Sequence, residues 1–281
     1  MTNLLILSGS VALALLVGAG VLHLLPRLGP PGKKLSEALC RGFGLDLMIT
    51  YFTVLPMIVG PILLGWLGLL AAIAGQVVGL LIWTRLHELA NPAARKGPRI
   101  VHTLNRSVGR WRNHTAVWIT ALAVPVFWII RVAEWVVYPP LTWIVKLPPY
   151  KSAEWVNVSR QKFDGLVGHD LIWCLYCDWM TGIWSLGSEM LRNVESFWCP
   201  IRFYSDKKCA NCAIDFPDIN NGWTPADGNM ADVVKLIEDK QAGGDHSWFG
   251  HPTRLTVHGR NLEDNEAKQR EGSTTSATHN H

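Results

Sequence analysis

Two Cys-x-x-Cys pairs hold the residues best suited to chemistry: Cys174 and Cys177 in "LIWCLYCDWM", Cys209 and Cys212 in "KKCANCAIDF". Two cysteines three apart can offer both sulfurs to one side of a metal, and two such pairs close a tetrahedral zinc or iron–sulfur site. Cys199, just before Pro200, is a substitute ligand. The expected metal set is therefore Cys174, Cys177, Cys209 and Cys212, with Cys199 in reserve. Its role is structural, because four thiolates leave no open position for a substrate. The second pair suits this chemistry better, being polar, turn-prone and preceded by Lys207 and Lys208, which favour thiolate. The first lacks the Gly or Pro of a usual metal knuckle, and the interval between the pairs exceeds the common spacing of roughly 15–20 residues.

Two other readings stand beside the metal. Cys174/Cys177, next to His169 and Asp170, could act as a redox dithiol that exchanges disulfide with Cys209/Cys212. This arrangement resembles the quinone-linked membrane thiol oxidases, which also set C-x-x-C in a helical bundle; the resemblance is of arrangement and assigns no residue. The third reading is plain structural cysteine, buried or disulfide-bonded. Covalent c-type haem is not expected, because Asp178 and Ala213, not His, follow the pairs. His246, His251 and His258 have spacings that match no helical metal pair, so they read as turn or surface residues. His23 reads as an ordinary residue on an apolar span. No phosphate-binding Walker loop, G-x-S-x-G elbow or G-x-G-x-x-G after a strand occurs, which sets aside the common NTPases, hydrolases and dinucleotide enzymes.

The elements that position these residues are membrane-like. Of 281 residues 49% are hydrophobic and only 17% charged, below the quarter or so usual in soluble domains. The apolar runs concentrate in residues 1–147, predicting a membrane domain with about four transmembrane helices near 4–26, 46–63, 66–84 and 115–138. The uncharged run 47–83 is too long for one span and predicts a hairpin turning near Gly60-Pro61 or Gly65. Arg27, Lys33, Lys34 and Arg41 follow the first span, and seven arginines and lysines lie in 85–114. The positive-inside rule puts both loops in the cytoplasm and the N-terminus outside, as in a bacterial inner membrane. The net charge of +4 sits beside apolar runs, so nucleic acid is not an expected partner.

Arg131 and Glu134 share one helical face, which predicts either an ion pair snorkelling to the headgroups or a proton or ligand contact. Pro125 is a candidate kink that leaves a re-entrant or in-plane path open. Residues 148–198 form a Trp-rich interfacial segment in which 166–188 is either a helix lying at the membrane surface or a fifth span. Residues 199–260 read as a small, loop-rich, Cys- and His-containing extramembrane domain, with an amphipathic helix in "MADVVKLIEDK" and a short strand in "TRLTVHG". Asp215 and Asp218 read as turn residues. Residues 261–281 read as a disordered tail.

The expected function is an integral membrane protein acting as a subunit or assembly factor of a membrane complex, with lipid and other membrane subunits as partners. The alternative is a membrane thiol–disulfide oxidoreductase. The C-terminal domain leans to the cytoplasm, where reduced cysteines persist and where the small positive balance of residues 139–165 is favoured.

Overall fold

The structure is a computed structural model that describes residues 1–215 and 222–242. The strand expected at 253–259, His246, His251 and His258, Asp218 and the tail lie outside the described residues. Among the described residues the chain is helical, with no strand beyond two isolated bridges. It forms two compact units, Met1–Trp135 with Tyr150–Ser188, and Val136–Pro149 with Glu189–His281.

In the first unit, α1 (Thr2–Leu24) leads through a tight turn into α2 (Gly29–Leu39). Then α3 (Gly42–Ile49), a π-helical turn at Thr50–Val54, and α4 (Leu55–Ala90) run on without interruption. This apolar stretch of 49 residues is not one rod. The Gln76 side chain donates to the carbonyls of Phe52 and Thr53 at 2.9 and 2.7 Å. In a straight helix residues 24 apart would be separated by about 36 Å. The chain reverses at Leu64–Gly65, where Gly65 has φ +60, a conformation open to a residue without Cβ. The reversal falls at the second of the two turn positions expected from the sequence. Gln76 also answers a local deficit. Pro56 has no N–H to offer Phe52, and the Gln76 amide of the opposite arm donates to that carbonyl.

The arms are held by small residues. A Cβ on Gly60 would strike the Gly68 carbonyl and Ala72; one on Gly75 would strike Ser8 and Val11 of α1. Tyr51 fits over Gly18 and donates to the Ala14 carbonyl at 2.6 Å. Ser8 meets Gly75, Ala12 meets Gly79 and His23 meets His87, so α1 runs parallel to the second arm. Backbones approach closely along this seam, as between helices in lipid. The outward faces carry Leu13, Val17, Ile62, Leu63 and Trp66, all exposed.

After α5 (Pro92–Lys96) and α6 (Ile100–Val108) comes a helical stretch of 35 residues, Arg110–Ile144. It comprises α7 (Arg110–Thr120), α8 (Val124–Val136) and α9 (Tyr138–Ile144). It tightens to 3-10 geometry at Ala121–Ala123, just before Pro125. A short turn of helix, α10 (Ser152–Trp155), precedes α11 (Gly168–Trp198). Along α11, His169 lies at His114, Trp173 at Trp118, Trp179 at Phe127 and Trp128, and Gly187 at Ile130. The rising numbers make α7–α8 and α11 parallel neighbours. Trp179, Ile183 and Leu186 form their buried seam.

Three helical stretches are long and apolar enough to cross a membrane: Thr2–Leu39, Gly42–Ala90 and Arg110–Ile144. The arms expected as separate spans at 46–63 and 66–84 are the two halves of the second. Among the described residues α11, with its buried Asp170 and its Asp178 and Glu189, is not one of these stretches.

In the second unit, α12 (Asp206–Asp215) and α13 (Met230–Gln241) replace much of the expected loop. Cys209 and Cys212 sit on a helix instead of a polar turn. Ser205 receives the Lys208 N–H on its side chain and the Cys209 N–H on its carbonyl, and Asp206 opens the first turn where a negative charge is favoured. Asn229 and Asp232 form a capping box that starts α13 where the hydrophobic spacing predicts it. Cys212 and Trp223 centre a small core with Phe197, Phe203, Ala213 and Ile237.

Candidate functional site

Three groups of side chains in the first unit could do chemistry. The first joins α3 to α8. Arg131 donates to Asp46 through Nε, at 3.1 Å to each oxygen, and through Nη2 at 2.7 Å. Its Nη1 binds Glu134, its Nη2 also reaches the Ser152 hydroxyl at 2.5 Å, and its guanidinium stands 5.1 Å over the Trp135 ring. Arg131 and Asp46 are each 1% exposed. The expected pairing of Arg131 with Glu134 is therefore present, but the pair turns inward and does not snorkel. The physical reason is Asp46, a carboxylate on an otherwise uncharged arm, which needs a buried cation. Two carboxylates share one guanidinium, and Oε1 of Glu134 is buried without a hydrogen-bond partner.

The second group ties the hairpin's open end to the start of α11. Arg99 donates to Asp170 at 2.7 Å, to Glu88 at 3.0 Å and to the Val167 carbonyl at 3.2 Å. Asp170 also accepts the Val101 N–H, and the His87 ring accepts the Gly168 N–H. Burial would raise the Asp170 carboxyl. Its bonds to His169, Arg99 and Val101 outweigh that and hold it below the usual carboxylate range.

The third group is the first cysteine pair. Cys174 and Cys177 share a face of α11, half-buried, with the Arg160 guanidinium directed at both sulfurs. Asp178, one residue on, accepts the Ser159 and Arg160 N–H groups at 2.8 and 3.1 Å and fixes that loop. Burial pushes the Cys174 thiol up, against the pull of Arg160.

Cys174 and Cys177 belong to the first unit; Cys199, Cys209 and Cys212 belong to the second. There Arg202 directs Nε and Nη2 at the Cys209 sulfur, at 3.2 and 3.0 Å, while Cys212 is buried and Cys199 exposed. None of the six cysteines is in a disulfide. Among the described residues no three His, Cys, Asp or Glu side chains converge as a metal-holding group. Each unit by itself thus sets an arginine at a cysteine of its C-x-x-C pair.

Sequence reasoning overlooked Asp46, Glu88 and Arg99. The signal at Asp46 was available: a lone carboxylate leading an apolar arm demands a cation, and Arg131 is the cation inside another apolar stretch. Arg99 was hidden among the other basic residues of 85–114.

No protein-family model, curated protein or solved structure is significantly similar to the chain.

Proposed function

We propose that this chain is an integral membrane subunit or assembly factor of a membrane complex, in a bacterial inner membrane. The observation that carries the reading is the seam of α1 and the hairpin arms: glycine and alanine inside, exposed Leu, Ile, Val and Trp outside. Water disfavours such an exterior, and lipid favours it. Charge supports an orientation. His23–Arg27, His87 and the Glu88–Arg99 pair gather at the hairpin's open end, which continues into both basic loops. That end is cytoplasmic and the N-terminus outside. An alkaline wash tests the reading, since a chain held by spans stays in the membrane pellet. Co-migration with one defined complex on a native gel tests the subunit role.

Within this reading Cys174, Cys177, Cys209 and Cys212, with Cys199 in reserve, hold a structural zinc or iron–sulfur centre. Zinc and iron assay of the detergent-purified chain checks this, and a chain free of both metals overturns it. The thiol–disulfide oxidoreductase is the second reading. It is favoured by the arginine at each pair, Arg160 at Cys174/Cys177 and Arg202 at Cys209. Under it, Cys177→Ala accumulates a mixed disulfide with a partner.

A further inference from the structure

The layer formed by α7–α8, α11 and residues 150–167 has two unlike faces. On one side Ile119, Leu122, Val126, Ile129 and Val132 recur at helical spacing along α7–α8 and are exposed, Leu122 at 76%. On the other side residues 150–167 run back along α11. The Trp155 carbonyl meets Gly182, and Ser159 and Arg160 meet Asp178. That segment bears Lys151 and Glu154, whose side chains are 85% and 55% exposed, and the partly exposed Arg160. On the α11 helix the two neighbours occupy roughly opposite faces: His169, Trp173 and Gly187 turn to α7–α8, Asp178 and Gly182 to the returning segment.

The layer also meets the hairpin at its open end. Gly168 touches Thr84 and Glu88, and Arg131 reaches Asp46; all three hairpin residues lie near its open end. Cys40 and Gly42, at the same end, bond to Val158 and Val156. A layer crossing the bilayer would carry Lys151, Glu154 and Arg160 to hydrocarbon depth, where charge is costly.

We propose that this layer lies in the plane of the membrane at the hairpin's open end, its Ile119–Val132 stripe immersed in the leaflet and residues 150–167 in water. The partner is the lipid surface itself, engaged as by an interfacial amphipathic helix. Arg106, Arg110 and Arg112, all exposed, meet anionic headgroups beside the stripe. The inference rests on the membrane reading above and specifies it. The chain crosses three times, by α1 and the two hairpin arms, and Cys174 and Cys177 stay on the basic side.

The test compares two exposed positions, Lys34→Cys in the first basic loop and Lys151→Cys in the returning segment, each in the full-length chain. Spheroplasts are treated with a membrane-impermeant maleimide before and after opening, with the unsubstituted chain as background for the native thiols. The expected result is that both added thiols label from the same side. Labelling from opposite sides overturns the in-plane placement, whatever the absolute orientation, and leaves the membrane reading standing. Release of the chain by alkaline wash overturns both. An epitope inserted after Pro149, probed with antibody on intact and opened spheroplasts, repeats the comparison without a thiol: reactivity on the side opposite to Lys34→Cys overturns the proposal.

Discussion

Arg131 grips Asp46 with two nitrogens across 85 residues of sequence, and neither side chain reaches the surface. The contact fastens the start of the hairpin to α8.

Removing this cation is expected to be the most damaging single change in the first unit. Arg131→Met leaves Asp46 and Glu134 buried without their partner, at about 3–5 kcal/mol. Asp46→Asn costs less, about 1–3 kcal/mol, because it weakens charge-assisted bonds and leaves a neutral polar group. Glu134→Gln is the mildest, since Asp46 and Arg131 still match one to one. Melting of the detergent-solubilised variants checks the order; Glu134→Gln falling below Arg131→Met would refute it.

Stability at low pH is expected to depend on Asp170. Its folded carboxyl is held below the ordinary range by His169, Arg99 and Val101. That contribution is fully present above the unfolded carboxylate value, near 4. It is lost as pH falls through the depressed folded value. Asp170→Asn should therefore remove part of the acid sensitivity while lowering stability at neutral pH. Melting temperatures of both forms across the acid range provide the measurement.

The glycines of the first unit are expected to divide sharply. Gly75→Val drives a side chain into Ser8 and Val11, and Gly60→Val into Gly68 and Ala72; overpacking of this kind costs about 1–3 kcal/mol or more. Gly9→Ala and Gly20→Ala meet nothing within 4 Å and should be neutral or slightly stabilising through helix propensity. Abundance in the membrane fraction, measured for all four, would expose an error if the two groups overlapped.

Thiol labelling in detergent is expected to follow exposure. Cys199 reacts first and Cys212, inside the Trp223 core, last. Cys174 reacts slowly at neutral pH and accelerates as pH rises, because burial keeps its thiol protonated. Mass spectrometry of timed alkylation gives the order.

The sequence made the hairpin readable because its signals are local: an uncharged run of a telling length, and glycines that can turn. The α13 helix was readable for the same reason, from its apolar spacing and Asn229 cap. Helix α12 was misread as a turn, since its polar residues and two cysteines have no strong periodicity and its start depends on Ser205. The partner of Arg131 was only half visible. Glu134, three residues away, follows from helical geometry, whereas Asp46 depends on how α3 meets α8, which no local pattern encodes. The parallel run of α7–α8 beside α11 is likewise a tertiary fact, carried by ring contacts such as Trp118 with Trp173.

The separation of Asp46 from Arg131 also sets a clock. A ribosome adding about 5–20 residues per second needs roughly 4–17 s to travel between them. From the addition of Ala90 onward the hairpin is complete in length while its carboxylate still has no cation to meet. The nascent arm spends the wait with Asp46 lacking that partner, and the contact forms once α8 has emerged. Release of the first 90 residues as a separate fragment would make the wait permanent.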